Sequence, residues 1–251
     1  MSDQATFRIW RGDASGGGFQ DYATGVTSGM VVLDAVHQIQ AESAHDMAVR
    51  WNCKAGKCGS CSAEINGMPK LMCMTRLNTL DLNQPVTIEP MKAFPKIRDL
   101  VTDVSWNFRV KEGIRKFKPR KPDAADGTWR MDQADADRVQ EFRKCIECFL
   151  CQDVCHVLRD QGMHSQYFGP RFLVRLASLE MHPLDTLDRL DTVVDEGGLG
   201  LCNITKCCTE VCPEGIHITD NAIIPLKERV VDRRYDPLFK LARRIAARRR
   251  R

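Results

Sequence analysis

The chain has 251 residues and a formal net charge of +4, with 43% of residues hydrophobic and 28% charged. That length accommodates one large or two ordinary domains, each with its own core; the composition is globular rather than disordered, and the charge is too small to mark a nucleic-acid binder. No apolar run approaches the ~20 residues of a membrane helix, and the opening MSDQATFRIWRGD carries neither an apolar leader region nor a twin arginine, so the expectation is a cytoplasmic protein with no membrane anchor of its own.

Up to about residue 105 the pattern reads as mixed α and β. Thr6 to Trp10 (TFRIW) alternates as an edge strand does. Ser28 is expected to cap a helix running through Val32, Val36 and Ile39, apolar positions at helical spacing. Ser62 to Ile65, then Asn66-Gly67, then Lys70 to Met72 reads as a hairpin around an Asn-Gly turn. Val86 to Glu89 is a short strand closed by Pro90. From Lys111 to Trp129 the chain (KEGIRKFKPRKPDAADGTW) is polar and broken by proline and glycine, the marks of a connection. Beyond it the pattern is helical: Ala134 to Lys144; a segment opened by Gly169-Pro170 and carrying Phe172, Leu173, Leu176 and Leu179; and a segment capped by Asp220 that runs through Ile223, Ile224, Leu226 and Val230, with Pro225 near its start. The C-terminal LARRIAARRRR holds six arginines. It reads either as a solvated tail or, from Arg243 on, as a patch that meets anionic lipid headgroups.

Twelve cysteines dominate the composition. A reducing compartment disfavours six disulfides, and the cysteines fall into three groups of four whose close spacing suits metal sites. The first group is Cys53, Cys58, Cys61 and Cys73, the C-x4-C-x2-C…C spacing of plant-type ferredoxins, which holds a 2Fe–2S cluster. A loop that wraps a cluster turns backbone N–H groups toward sulfur where a side chain would obstruct, and Gly56 and Gly59 lie inside it. Lys54 and Lys57 favour an anionic cluster. A four-cysteine zinc site is the alternative, but zinc ribbons pair two short knuckles.

The second run is Cys145, Cys148, Cys151 and Cys155 (CIECFLCQDVC), the bacterial-ferredoxin spacing, whose fourth cysteine serves the other cluster of a pair. The third is Cys202, Cys207, Cys208 and Cys212 (CNITKCCTEVCP). Laid on the second run, Cys202 falls on Cys145, Cys208 on Cys151, Cys212 on Cys155, and Thr205 on Cys148. The expected ligand sets are therefore Cys145, Cys148, Cys151 and Cys212 for a 4Fe–4S cluster, and Cys155, Cys202 and Cys208 for a second site one thiolate short, suited to a 3Fe–4S cluster. Cys207 reads as a buried free thiol, with rescue of the vacant corner as the alternative. The histidines form no Rieske pattern; His156 beside a ligand could tune the cluster, touch a partner or simply pack. No GxGxxG, P-loop or GxSxG stretch is present, so the chain shows no nucleotide site or nucleophile of its own. The fold class expected is α+β: an N-terminal plant-type ferredoxin (β-grasp) domain over residues 1–107, then a mostly α-helical, bacterial-ferredoxin-like domain over residues 108–251 that ends in the basic tail.

A plant-type half followed by a bacterial-type half resembles the iron–sulfur subunit of succinate dehydrogenase and fumarate reductase. The resemblance covers nearly the whole chain and rests on CKAGKCGSCSAEINGMPKLMC, CIECFLCQDVC and C-x5-C-x3-CP, including the non-cysteine at Thr205. It implies an electron-transfer role in a succinate:quinone oxidoreductase. A partner flavoprotein oxidises succinate on FAD, electrons pass from 2Fe–2S through 4Fe–4S to 3Fe–4S, and a quinone is reduced at membrane-anchor subunits. It also implies a peripheral position on the cytoplasmic face of the inner membrane, with no nucleic-acid partner. His156, Asn203 and Ile204 take the positions nearest the quinone. Many members carry proline and then tryptophans after the position of Cys155, and histidine at the position of Asn203; HVLRDQGMHSQYFGP and Asn203 depart from that and look closer to members that use menaquinone. The competing readings are a fumarate reductase subunit running in reverse, a thiol-linked fumarate reductase subunit, and a soluble polyferredoxin.

Overall fold

The computed structural model describes residues 3–237; the arginine tail from Arg243 lies outside the described residues. The N-terminal half is a seven-stranded sheet with one helix packed on it. Strands β1 (Asp3–Asp13) and β2 (Gly16–Val26) form a long antiparallel hairpin. After helix α1 (Val32–Glu42) come β3 (Ser62–Ile65), β4 (Met68–Leu71), β5 (Val86–Glu89), β6 (Lys96–Arg98) and β7 (Val101–Thr102). The order across the sheet is β4-β3-β5-β1-β6-β7, with β2 paired to β1.

Thr6 to Trp10 is thus not an edge: β1 pairs with β2 on one side and, in parallel, with β5 on the other, Phe7 opposite Val86. Its alternation reports exposure of one sheet face rather than position in the sheet; Phe7 and Ile9 are fully buried while Arg8 is exposed and pairs with Asp21. Strand β2, absent from the sequence expectations, is glycine-rich and mostly exposed, and is held by its backbone ladder to β1. The Asn66-Gly67 hairpin forms as expected, with φ of 50° and 77° at the two turn residues. Ser28 does not cap α1: the helix starts after Val31, whose N–H donates to the Asp34 carboxylate at 3.1 Å.

The expected connection begins later than Lys111, because α2 (Ser105–Gly113) runs into it. Then come α3 (Gln133–Gln140), extended by a tighter turn to Lys144, α4 (Leu150–Asp153), α5 (His156–Arg159), α6 (Pro170–Glu180), α7 (Cys207–Glu210) and α8 (Ile224–Arg234). A wide turn over Ile218–Ile223 leads into α8; Asp220 sits inside it and pairs with Lys206 at 2.7 Å instead of capping the helix.

Each half has its own apolar core, and each core borrows from the other half. The N-terminal core (Phe7, Ile9, Val36, Ile39, Ala63, Ile88) takes in Cys148 and Leu150. The C-terminal core (Phe142, Leu173, Leu176, Ile223, Leu226) takes in Met91, Ala93 and Phe94. A division after residue 107 falls inside α2.

Candidate metal centres

All twelve cysteines lie in the described residues as free thiols. Among the described residues no three His, Cys, Asp or Glu side chains converge on a single-ion site; the cysteines stand around a loop and two cavities.

The loop from Cys53 to Cys61 connects α1 to β3. Cys53 is exposed, Cys58 half-buried, and Cys61 and Cys73 buried. The N–H groups of Ala55 and Lys57 donate to Cys53 Sγ at 3.4 and 3.3 Å, and Cys73 N–H donates to Cys61 Sγ at 3.5 Å. Lys54, Gly56 and Gly59 take φ of 54°, 66° and 67°, which turns successive amides inward. Burial raises the Cys58 thiol, but hydrogen bonds from Ser60 and Cys53 outweigh it and bring the pKa to about 6. Burial pushes Cys61 up to about 12. The Lys54 ammonium lies over the Trp51 ring at 4.8 Å. Lys57 pairs with Glu214 of the other half at 3.2 Å. The loop is pressed onto that half: a Cβ on Gly59 would stand 2.6 Å from Cys148 Cα, and the Ser62 hydroxyl is shared between the Gly59 and Cys148 carbonyls, 2.8 Å from each.

The first cavity is lined by Cys145, Cys148, Cys151 and Cys212 with Phe149, Arg171, Val174, Ile216 and Ile218. The Ile216 N–H donates to Cys212 Sγ at 3.4 Å. The second is lined by Cys155, Cys202, Cys207 and Cys208 with Tyr167, Thr205 and Thr219. Burial pushes Cys148 and Cys208 up to about 12 and Cys155 up to about 11, and holds Cys145 and Cys151 above the ordinary thiol value. Buried and half-buried thiols grouped around small cavities, too far apart for one ion, suit a sulfur-rich cluster.

The two cysteine runs repeat in backbone as well as in sequence. Glu147 and Phe149 are left-handed, with φ of 56° and 62°; Ile204 and Lys206, at the equivalent places, have φ of 63° and 66°. Each loop then enters a one-turn helix, α4 or α7. Within this matched frame Thr205 occupies the place of Cys148, and Cys207 the place of the core residue Leu150. The second loop therefore keeps the path of the first while a hydroxyl stands in place of the Cys148 thiol. Cys207 is half-buried rather than buried as expected, and its sulfur lies 3.3 Å from the Thr205 hydroxyl. His156, Asn203 and Ile204 line this second cavity, with Ile204 38% exposed. Sequence reasoning missed Tyr167 and Thr219 there; the Thr219 hydroxyl lies 3.5 Å from Cys208 Sγ.

A ferredoxin-type sheet domain carrying one cysteine loop, joined to a helical domain that folds two cysteine runs around paired cavities, defines an iron–sulfur electron-transfer protein. The 2Fe-2S iron-sulfur cluster binding domain family matches residues 6–109, and the 4Fe-4S dicluster domain family matches residues 141–216. The fumarate reductase iron-sulfur subunit of Mycobacterium tuberculosis (strain CDC 1551 / Oshkosh) is 33% identical over 79% of this chain and 80% of that one. The succinate dehydrogenase iron-sulfur subunit of Bacillus subtilis (strain 168) is 33% identical over 68% of each. A chain of the solved Mycobacterium smegmatis Sdh1 complex in the apo form is 60% identical, with a TM-score of 0.90 over 94% of this chain and 99% of that one. The chain belongs to the family of succinate dehydrogenase and fumarate reductase iron–sulfur subunits, and its role is electron transfer in a complex of that family. No helix among the described residues is long and apolar enough to cross a membrane.

Proposed function

We propose that the chain is the electron-carrying subunit of a succinate:quinone oxidoreductase. It sits between a flavoprotein that holds FAD and membrane-anchor subunits that hold a quinone, peripheral on the cytoplasmic face. In this reading Cys53, Cys58, Cys61 and Cys73 hold a 2Fe–2S cluster in the domain up to residue 107. Cys145, Cys148, Cys151 and Cys212 hold a 4Fe–4S cluster, and Cys155, Cys202 and Cys208 a 3Fe–4S cluster, in the remainder. When bound, the clusters supply one-electron carriers between flavin and quinone. The protein's own part is to fix their order along the seam between its halves, to exclude water with the apolar cavity walls, and to offer His156, Asn203 and Ile204 at the far end to a quinone. Succinate oxidation is the favoured direction because the 60% identical chain comes from an Sdh1 complex. The dicarboxylate chemistry belongs to the flavoprotein.

The observation that carries the cluster assignment is the matched path of the two loops, with Thr205 standing where Cys148 stands. A hydroxyl is a poor iron ligand beside thiolate. The test is electron paramagnetic resonance of the oxidised complex purified from its own membranes. A three-iron signal is expected in the wild type, and its conversion to a four-iron site in Thr205→Cys, with slower quinone reduction as the added negative charge lowers the site's potential. A wild type without that signal, or a signal that emerges only in Cys207→Ser, means Cys207 fills the corner and overturns the assignment. Comparing succinate:quinone with quinol:fumarate turnover on the same preparation decides direction.

A further inference from the structure

Tyr167 is a polar group in the second cavity that the reading above leaves without a role. It is 1% exposed, and its hydroxyl is buried with no hydrogen-bond partner at normal distance in the protein alone. An unpartnered buried hydroxyl is unfavourable, and phenylalanine would fill the same space without that penalty. Cys202 is the thiol that faces the hydroxyl, with Cys155 and Cys208 close by.

The backbone holds this side chain against the Cys202 segment. Tyr167 N–H donates to the Met163 carbonyl at 3.0 Å, and Phe168 N–H to the Gly197 carbonyl at 3.1 Å. Gly198, at φ 61°, packs so closely that a Cβ there would come within 2.0 Å of the Gln166 carbonyl and 3.2 Å of Tyr167 Cα. The turn Leu199–Leu201 then leads directly into Cys202. The first cavity has no tyrosine: beside its cysteines stand Val174, Ile216 and Ile218, with Arg171 and Glu214 as its charged lining.

We propose that the Tyr167 hydroxyl donates a hydrogen bond to the Cys202 thiolate of the loaded second site and raises that site's reduction potential. Hydrogen bonds to the sulfurs are one of the protein's means of setting such potentials. Reduction adds negative charge, and an O–H donor stabilises the more negative state more strongly. Tyr167 is thus a tuning residue that makes the last carrier a better electron acceptor than its three thiolates alone would. The inference rests on Cys155, Cys202 and Cys208 holding the three-iron cluster.

The experiment is a potentiometric titration of the purified complex followed by electron paramagnetic resonance. Tyr167→Phe is expected to lower the midpoint of the three-iron site by about a tenfold change in its one-electron equilibrium constant, ~59 mV, and to leave the other two midpoints in place. Biosynthetic 3-fluorotyrosine, a more acidic phenol, should shift the same midpoint upward. This chain has three tyrosines, so the same labelling of Tyr167→Phe is the control and should give no rise. Opposite shifts from one removed and one strengthened donor support hydrogen bonding; a packing role gives no rise on fluorination. An unmoved midpoint in both overturns the inference. If Tyr167→Phe does not assemble, the labelled wild type alone decides by its rise or lack of one. A wild-type complex without any three-iron signal instead overturns the ligand assignment beneath it.

Discussion

Glu64 joins the two halves of the molecule at a point where a small chemical change is expected to have a large effect. It lies on β3 and is fully buried. Arg159, from α5, approaches it with Nη1 2.8 Å from Oε1 and Nη2 3.1 Å from Oε2, and Lys92 Nζ lies 2.9 Å from Oε2. Glu64→Gln keeps the volume and removes the charge, leaving Lys92 with only Glu89 at 3.4 Å and Arg159 with only the exposed Asp160 at 3.9 Å as carboxylate partners. Breaking a buried pair by removing one partner costs ~3–5 kcal/mol. The Arg159 and Lys92 side chains retain 20% and 40% exposure, so water recovers part of their solvation and the expected loss is ~3 kcal/mol, at the low end of that range. Against a typical domain stability of ~5–15 kcal/mol this is a large fraction. The assay is urea unfolding of the cluster-loaded subunit, followed by far-ultraviolet circular dichroism and by visible cluster absorption. The double variant Glu64→Gln, Arg159→Met should recover much of the loss, because the two residues share one interaction. A single variant that stays within ~0.5 kcal/mol of wild type, the range of ordinary surface changes, would refute the argument, as would simple additivity in the double variant.

Cys58→Ala should remove the 2Fe–2S signal and succinate-driven quinone reduction while the signals of the other two sites persist in an assembled complex. Gly59→Ala should damage both neighbouring sites at once: it adds ~1–2 kcal/mol of left-handed strain and a Cβ 2.6 Å from Cys148 Cα, and iron content together with visible absorption will report the loss. Glu141 is raised by burial but held below the ordinary carboxylate range by hydrogen bonds from Asn221 and His217. Its contribution is therefore complete above the unfolded value of ~4.3 and disappears as pH falls through the lower folded value; Glu141→Gln should flatten the acid limb of a stability–pH profile.

The parts of this molecule that were legible in the sequence are those whose causes are local. Cluster ligation needs thiols at short fixed spacings, so CKAGKCGSC and CIECFLC could be read directly. The Asn66-Gly67 turn was legible because only such residues accept two successive positive φ angles cheaply. Strand β2 was not legible: its exposed residues carry no apolar alternation, and its pairing depends on β1. Asp220 looked like a helix cap until Lys206 claimed its carboxylate. Glu64 in the stretch Ser62 to Ile65 carries no local mark of burial; its charge is offset by Arg159 and Lys92, which only the folded chain brings to it. Tyr167 drew no reading from the sequence, since nothing in its neighbours along the chain announces an unpartnered hydroxyl beside three thiols.

The exchange of a single cysteine for Thr205 has a structural logic in the crossed arrangement of the two runs. Around α4, Cys151 faces the first cavity and Cys155 the second; around α7, Cys208 faces the second and Cys212 the first. Each of these helices has only four residues, far too few to be stable alone, so in the proposed assignment each would be held at both ends by its cluster ligands. Buried thiols whose pKa is raised must give up protons to bind iron, which couples loading of the C-terminal half to its folding. Replacing Cys155 or Cys212 would release a helix from one cavity and undo the cross-link between them. Replacing Cys148 would remove a residue that the N-terminal core and the Gly59 turn pack against. Thr205, by contrast, lies on an exposed loop ahead of α7, where a missing thiolate leaves both helices tied and opens one corner of the second site toward the surface that carries Asn203 and Ile204. In the proposed assignment the incomplete cluster is therefore the one at the outer end of the chain of carriers, at the position whose ligand the fold could lose without coming apart.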